Sequence, residues 1–245
     1  MSAWPYPAFV AHRGAGKVAP ENTLAAFRTG FAHGYRMFEF DVKLSGDGVP
    51  FLLHDDTLDR TTNGAGRADA LNWAELAKLD AGSWHSPAYA GETVPTFSAV
   101  AHWAIANGAM CNVEIKPMPG RERETGAAVA LDARALWSKA GVAPLLSSFS
   151  EEALAAARDA VPDLPRALLL ERIPADWLAR LSHLECVAID ADYRALDQAL
   201  VDDAHRAGFK VLTYTPNDPA VIATLVSWRI DVIITDAIDR VKPGL

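Results

Sequence analysis

Three acidic residues lie in apolar runs, where a carboxylate without a partner would be energetically unfavourable. Glu39 and Asp41 are two positions apart in the run Met37–Lys43, and Glu114 lies in the run Cys111–Lys116. Because alternate residues of a strand share one face, Glu39 and Asp41 point the same way. Three acids at one site repel one another unless a cation neutralises them, and oxygen-only ligands favour Mg²⁺ or Ca²⁺ over zinc. The sequence therefore predicts a divalent metal site at Glu39, Asp41 and Glu114.

Two histidines end two other apolar runs. His12 closes the first run of the chain, and His54 closes the run that follows the turn Ser45–Gly48. A histidine with a pKa of about 6.5 can take a proton from a nucleophile and give one to a leaving group. A single histidine at a strand end is more often an ordinary polar residue, but two of them within reach of one acidic cluster indicate acid–base catalysis.

The turn Ser45–Gly48 is too short for a crossover between parallel strands, so the strands on either side of it must be antiparallel. With the turn centred between Asp47 and Gly48, Asp41 lies opposite His54, and their Cβ atoms are about 5 Å apart. A one-residue bulge would change this pairing without moving His54 away from the acids. We therefore expect His54 beside the predicted metal site.

Two cations adjoin the predicted site. Arg13 follows His12, and Lys116 shares a strand face with Glu114. Both can bind phosphate, arginine as a planar fork and lysine as a point charge. The alternative is that both cations form salt bridges with the same acids and that no metal binds. A cation site, two phosphate-binding side chains and two histidines together indicate phosphoryl chemistry.

The segment Glu21-Asn22-Thr23 precedes a predicted helix that begins at Leu24. Asn22 or Thr23 is expected to cap this helix, which is a sufficient structural reason for both residues. Glu21 has no such role, and we expect it either to brace Arg13 or to contact a ligand.

Eight short apolar runs alternate with amphipathic stretches and predict parallel strands that are covered on both faces. The runs are residues 8–12, 37–43, 111–116, 145–149, 166–170, 186–190, 210–215 and 231–236. An open doubly wound sheet is the alternative, but polar residues end most of the runs, as they do where (β/α)8 barrels build their active sites. The glycines after the first run also lack the dinucleotide-binding spacing. We therefore predict an α/β fold of the (β/α)8 TIM barrel type.

The stretch from about residue 50 to residue 95 interrupts this alternation. It contains a further strand-like run at residues 49–53, a stretch rich in Gly, Asn and Asp, and a short helix near Trp73–Lys78. We interpret it as a small inserted subdomain after the second strand, within a single domain that covers residues 1–245.

The chain has 245 residues, of which 50% are hydrophobic, enough for one substantial core. A net charge of −8 argues against nucleic-acid binding and against docking on anionic membranes. The N-terminus lacks the features of a signal peptide, and no apolar run reaches the ~18 residues that span a bilayer, so we expect a cytoplasmic protein. Cys111 and Cys186 lie far apart in apolar runs and are expected to be buried thiols.

A series of short motifs contains most of these residues and extends almost to the C-terminus. The motifs are His12-Arg13-Gly14, Ala19-Pro20-Glu21-Asn22-Thr23, Glu39-Phe40-Asp41, His54-Asp55, Asp59-Arg60-Thr61-Thr62, Glu114-Ile115-Lys116, Ser148-Phe149 and Thr235-Asp236. In this order the set resembles the glycerophosphodiester phosphodiesterase family, and the chain is similar to its compact cytosolic bacterial members. One departure is Tyr214-Thr215, where relatives often carry Trp before the Thr, so contacts on the glycerol side of the pocket are expected to differ.

The resemblance implies a TIM barrel with an inserted subdomain that hydrolyses glycerophosphodiesters to sn-glycerol 3-phosphate and an alcohol. It assigns acid–base roles to His12 and His54, metal ligation to Glu39, Asp41 and Glu114, and phosphate contacts to Arg13 and Lys116. The nucleophile is either water or the glycerol 2-hydroxyl of the substrate, acting through a cyclic phosphate. The head group, the order in which the histidines act and the oligomeric state stay open.

Two other functions compete with this one. A phospholipase of C or D type on a related barrel would act on intact lipids and would need an apolar or cationic rim, which the acidic composition disfavours. A non-catalytic phosphodiester-binding barrel should have lost at least one histidine or acid, and here all are present.

Overall fold

The computed structural model describes residues 4–244. Within these residues, eight parallel strands form a closed barrel, in which β1 pairs with β9 at Ala11 and Thr235 and with β2 at Ala11 and Phe38. The strands are β1 (Phe9–Ala11), β2 (Met37–Leu44), β4 (Met110–Ile115), β5 (Leu145–Ser148), β6 (Arg166–Leu170), β7 (Ala188–Asp192), β8 (Lys210–Tyr214) and β9 (Val232–Thr235). The ninth strand, β3 (Pro50–Leu52), is antiparallel to β2 and lies outside the barrel ladder. The predicted TIM barrel is confirmed.

Apart from the short α2, the helices surround the barrel. They are α1 (Leu24–Ala32), α2 (Trp73–Leu76), α3 (Phe97–Ala106), α4 (Glu122–Leu136), α5 (Glu151–Ala160), α6 (Trp177–His183), α7 (Gln198–Arg206) and α8 (Pro219–Ser227). Thr23 caps α1 by accepting a hydrogen bond from the Ala26 amide, because the first amides of a helix have no partner within it. α6 has only seven residues, which make about two turns and show little periodicity in the sequence.

Two apolar layers support the mouth of the barrel. Side chains between the strands and the helices form the larger core, in which Phe27 packs edge-on against Phe38 and Phe40. A second cluster fills the lower interior of the barrel with Val10, Met37, Leu145, Ala167, Ala188, Leu212, Val232 and Ile234 above Tyr6. Because both layers are closely packed, the strand ends above them form a rigid platform. Both cysteines are buried and free, as predicted.

The hairpin between β2 and β3 has a register one residue away from the predicted one. Lys43 pairs with Phe51, and the Leu53 amide donates to the Asp41 carbonyl oxygen at 3.2 Å, so Leu53 rather than His54 is opposite Asp41. The prediction of a turn centred between Asp47 and Gly48 was wrong, because the Ser45 amide donates to the Val49 oxygen and centres the turn on Asp47. His54 follows the end of β3.

Residues 50–96, which we call the inserted segment, connect the hairpin to α3. The segment has a small core of its own, formed by Phe51, Leu53, Leu58, Ala68, Leu76, Ala81 and Val94. Outside β3 and α2 it consists mainly of turns, as its Gly-, Asn- and Asp-rich sequence predicts. Within residues 4–244 there is no helix of the length and apolar character that crossing a membrane requires.

Candidate active site

The three predicted metal ligands meet at the mouth of the barrel. Asp41 on β2 pairs directly with Glu114 on β4, and Glu39 precedes Asp41 by two residues on the same inward face. One carboxylate oxygen from each of the three lies within 4.8 Å of the others, and all three residues are buried. The barrel ladder therefore brings these acids together as the sequence predicted.

Hydrogen bonds and two cations surround this acidic cluster. The Arg13 amide donates to Glu39 Oε2 at 3.1 Å, and the Asn22 side chain donates to Asp41 Oδ2 at 2.8 Å. Lys116 Nζ lies 3.2 Å from Asp41 Oδ1 and 3.0 Å from Glu114 Oε1. The salt bridges considered as an alternative are thus present between the predicted phosphate-binding lysine and two of the acids.

The three acids differ in their pKa values. Burial, reinforced by the neighbouring acids, raises the pKa of Glu39 well above its ordinary value, although Arg13 opposes the change. Burial also raises the pKa of Glu114 to about 7, against the opposing effect of Lys116. Burial alone would raise the pKa of Asp41 as well, but Lys116 and Arg13 hold it well below its usual range. Two of the carboxylates therefore resist ionisation in this arrangement.

A divalent cation would fit the acidic cluster. Glu39 Oε1 and Asp41 Oδ1 are buried and accept no well-oriented hydrogen bond from any residue between 4 and 244, although Lys116 lies close to Asp41 Oδ1. A cation bound to these oxygens would supply the missing interaction and favour the ionised form of all three acids. Oxygen donors in a buried, negatively charged cluster suit a hard divalent metal ion.

His12 is positioned by the barrel wall. It follows β1, and its Nδ1 lies 2.6 Å from Asp236 Oδ1, while its Nε2 is 3.7 Å from Glu39 Oε2. Asp236 follows β9, the strand that pairs with β1, and its amide donates to Asn217 Oδ1 at 2.8 Å. The backbone of Gly16 passes so close to Asp236 that a Cβ at position 16 would lie 2.1 Å from the Asp236 carbonyl oxygen. Only glycine permits this approach, which keeps the His12–Asp236 pair in place.

His54 is positioned by a chain of charged side chains. Its Nδ1 lies 2.7 Å from Asp55 Oδ1, and Arg60 donates to both oxygens of Asp55 and both oxygens of Glu21. Arg13 Nη1 also donates to Glu21, at 2.9 Å. Burial lowers the pKa of His54, which Asp41 opposes. Glu21 thus braces Arg13, one of the two roles expected for it, and links Arg13 to His54 through Arg60.

The residues of the site surround a cavity of about 130 Å³. Its charged wall contains His12, Arg13, Glu39, His54, Glu114 and Lys116. The rest of the lining consists of Asn112, Ser147, Phe149, Leu169, Asp190, Tyr214, Thr215 and Ile234. Every predicted site residue except Asp41 lines the cavity, and Asp41 lies beneath it in the acidic cluster.

Several residues that position the site were not predicted from the sequence. Asn22 or Thr23 was expected to cap α1; Thr23 does so, and Asn22 donates to Asp41, a role that was not predicted. Asp55 and Asp236 were noted within motifs but were not recognised as the partners of the two histidines. For Asp55 the signal was its place directly after His54, whereas the contact between His12 and Asp236 joins residues 224 positions apart.

Comparison with known proteins identifies the fold and the family. The model of the glycerophosphoryl diester phosphodiesterase family matches residues 12–240. A glycerophosphodiester phosphodiesterase of Bacillus subtilis is 33% identical over an alignment of 256 residues, which covers 96% of this chain and 86% of that protein. The enzyme of the same name from Caldanaerobacter subterraneus subsp. tengcongensis is 31% identical over 235 residues, with 93% of each chain covered.

A solved structure agrees with these sequence matches. An Oleispira antarctica phosphodiesterase in complex with the product sn-glycerol-3-phosphate superposes with a TM-score of 0.89 and 37% identity, covering 94% of this chain and 93% of that one. The sequence match, the barrel and the arrangement of motifs agree along nearly the whole length. The chain therefore belongs to the glycerophosphoryl diester phosphodiesterase family.

Proposed function

We propose that this protein hydrolyses glycerophosphodiesters to sn-glycerol 3-phosphate and an alcohol. The observation that carries the proposal is the pair of histidines, each with its own carboxylate partner, beside a buried cluster of three acids. Family membership and the Oleispira antarctica relative that binds sn-glycerol-3-phosphate support the same reaction. The substrate is thus a small phosphodiester that enters the cavity at the mouth of the barrel.

Glu39, Asp41 and Glu114 are the residues that would hold a divalent metal ion, and their oxygen-only donor set favours Mg²⁺ or Ca²⁺. When bound, such an ion acts as a Lewis acid that stabilises negative charge on phosphate oxygens. Lys116, which now pairs with Asp41 and Glu114, would then be available to phosphate.

Arg13 and Lys116 contribute the phosphate contacts. Both line the cavity, and both carry a charge that is now balanced by the acids. Once the acids have another cation as their partner, the guanidinium and the ammonium group can donate to phosphate oxygens. Donors that are held in place before the reaction stabilise the charge that develops on phosphorus-bound oxygens.

His12 and His54 move the protons. In each ring Nδ1 faces a carboxylate, which leaves Nε2 for the cavity. One Nε2 accepts the proton of the attacking hydroxyl, while the other imidazole, protonated at the start, donates its proton to the oxygen of the departing alcohol. The carboxylates of Asp236 and Asp55 stabilise the imidazolium forms and orient the rings.

We propose one catalytic domain over residues 1–245, in which residues 50–96 contribute His54 to the barrel site. That the protein works in the cytoplasm stays a prediction from its sequence.

The direct test is an end-point assay of sn-glycerol 3-phosphate released from glycerophosphoethanolamine, with and without EDTA. We expect turnover that EDTA abolishes and that added Mg²⁺ or Ca²⁺ restores, because without the metal ion Arg13 and Lys116 stay paired with the acids and are not available to phosphate. Glu114→Gln should remain inactive after metal addition, whereas Glu122→Gln, on the surface helix α4, should respond as the wild type does.

Two results would contradict the proposal. Absence of metal-stimulated turnover on any glycerophosphodiester would refute the enzyme assignment. Release of diacylglycerol or a cyclic lipid phosphate from intact phospholipid, without activity on glycerophosphoethanolamine, would favour a phospholipase instead.

A further inference from the structure

Lys43 is a buried cation that the proposed reaction does not use. It lies on β2, two residues after Asp41, and its side chain is fully buried. Because alternate residues of a strand share one face, Glu39, Asp41 and Lys43 follow one another on the same face of β2. Within residues 4–244, Lys43 is not part of the lining of the cavity that contains both histidines. Any effect of this lysine on the reaction is therefore exerted through its neighbours and not on the substrate directly.

The ammonium group of Lys43 has three hydrogen-bond donors and contacts three acceptors. Its Nζ donates to Asp56 Oδ1 at 2.9 Å and to the Lys116 carbonyl oxygen at 3.4 Å, and Met118 Sδ lies 3.7 Å away. Asp56 belongs to the inserted segment, whereas Lys116 and Met118 follow β4. Lys43 thus contacts the inserted segment and the barrel wall at the same time.

Both of these contacts adjoin residues of the site. Asp56 directly follows Asp55, whose Oδ1 lies 2.7 Å from His54 Nδ1. On the other side, the Lys116 amide donates to the Val42 carbonyl oxygen at 3.0 Å, which fixes the end of β4 against β2. The barrel side is therefore held by a backbone hydrogen bond, and the buried ammonium group attaches the turn that carries His54 to it.

Stability does not account for a lysine at this position. Burying an ammonium group costs free energy that an apolar side chain of similar size avoids, and the partner carboxylate of Asp56 is 55% exposed. A hydrogen-bonded ion pair is also directional, which an apolar contact is not. The pair of Lys43 and Asp56 is therefore better suited to fixing an orientation than to stabilising the fold.

We propose that Lys43 is a positioning residue, which holds the turn at Asp56 against the end of β4 and thereby keeps the His54 imidazole aligned in the cavity. The inference rests on the proposed function, because it assigns to Lys43 an effect on proton transfer by His54. A displacement of about 1 Å in a catalytic site can lower the rate about 10²-fold. Loss of the Lys43 contacts should therefore reduce turnover without removing any group that touches the substrate.

Arg166 provides a matched control, because it is a second buried cation at the opposite end of the barrel. It is 2% exposed and lies at the start of β6, away from the strand ends that carry the histidines. Its guanidinium donates to four backbone carbonyl oxygens, those of Pro162, Leu164, Leu184 and Glu185. Loss of these contacts should lower stability but leave turnover unchanged.

The test measures steady-state kinetics on glycerophosphoethanolamine with saturating Mg²⁺ or Ca²⁺, at a temperature where thermal melts show each variant to be folded. Lys43→Met should lower kcat about tenfold and change KM less than about twofold, because proton transfer is impaired while the phosphate contacts remain. Arg166→Met should lower the melting temperature but leave kcat and KM within about twofold of the wild-type values.

Combination with His54→Asn distinguishes alignment from a general structural effect. Lys43→Met should lower the residual kcat of His54→Asn less than about twofold, because the group that Lys43 aligns is already absent. A further loss of about tenfold in that background would show that the two residues act independently and would overturn the inference. An unchanged kcat in Lys43→Met alone would overturn it as well.

Asp56 provides a second pair of variants, which decides where Lys43→Met does not fold. The Asp56 side chain is largely exposed, so its variants should fold. Asp56→Ala should lower kcat several-fold, whereas Asp56→Asn, which keeps an acceptor oxygen for the ammonium group, should retain most of the activity. Wild-type kcat in Asp56→Ala, or the same loss in both variants, would contradict the proposal.

Failure of the proposed function gives a different result. Wild-type protein would then show no turnover on glycerophosphodiesters, and NMR spectra of the histidine imidazoles would test the alignment without turnover. Lys43→Met should shift the ring resonances of His54 and leave those of His12 in place, with His54→Asn providing the assignment. Unchanged His54 resonances, or equal shifts in both rings, would refute the role of Lys43.

Discussion

The two histidines of the site are held by two regions that differ in construction. His12 belongs to the barrel wall, where β1 and β9 pair through their backbones and bring Asp236 to it. His54 belongs to the inserted segment, where β3 has only three residues and a chain of charged side chains provides the alignment. The barrel wall thus positions a catalytic group through its ladder, and the inserted segment does so through ion pairs.

This difference has a physical consequence. A buried ladder of backbone hydrogen bonds is little affected by salt or by a single surface substitution. Arg60, which links Asp55 to Glu21, has a side chain that is 43% exposed, and ion pairs at such exposure are weak and screened by salt. We infer that the His54 side of the site is the more easily perturbed of the two.

The largest expected effect comes from removing either histidine. His12→Asn and His54→Asn should each lower kcat by about 10²–10⁴-fold, because each removes a proton-transfer group. Steady-state kinetics measures the loss, and His102→Asn, on the surface of α3, should leave kcat unchanged. Near-normal turnover in one of the two variants would show that the regions do not share the chemistry as proposed.

A smaller effect on turnover is expected from weakening the core of each region. Leu58→Ala in the inserted segment and Leu168→Ala in β6 remove matched, fully buried leucines, and each should cost about 2–5 kcal/mol of local or global stability. Hydrogen exchange should show opening confined to the inserted segment in Leu58→Ala and global destabilisation in Leu168→Ala.

Turnover should separate these two leucine variants further. At a temperature where the barrel remains folded in both variants, Leu58→Ala should lose more activity than Leu168→Ala, because His54 moves with the inserted segment. Global unfolding of both variants at the same free-energy cost would show that the inserted segment and the barrel are one cooperative unit.

The smallest effect is expected from the charged chain. Arg60→Gln should lower kcat several-fold with little change in the melting temperature, because exposed ion pairs contribute about 0–1 kcal/mol to stability. Arg67→Gln is the matched control, since Arg67 pairs with Asp69 in the same segment without contacting the histidine. High salt should reduce wild-type kcat more than that of Arg60→Gln, and equal salt dependence would argue against alignment of His54 by ion pairs.

Much of the barrel could be predicted because its strands are buried on both faces. Continuous apolar runs of that kind can be recognised in the sequence without knowing which strands pair with each other. The predicted run Arg166–Leu170, for example, matches β6 at both ends. The hairpin register was wrong by one residue, because the position of the turn depends on which amides pair across Ser45–Val49. Short elements such as α6 carry too little periodicity to be recognised.

The amino-acid sequence alone determined which chemistry is available: two histidines, three acids and two cations at the ends of apolar runs. Their types and order in the chain are sufficient for that inference. Only the tertiary structure decided which residues hold them, since Asp236 reaches His12 when the barrel closes and Asn112, Ser147 and Asp190 meet only in its interior. The physical reason is that closing a barrel brings residues distant in the chain into contact, and a linear pattern does not contain those distances.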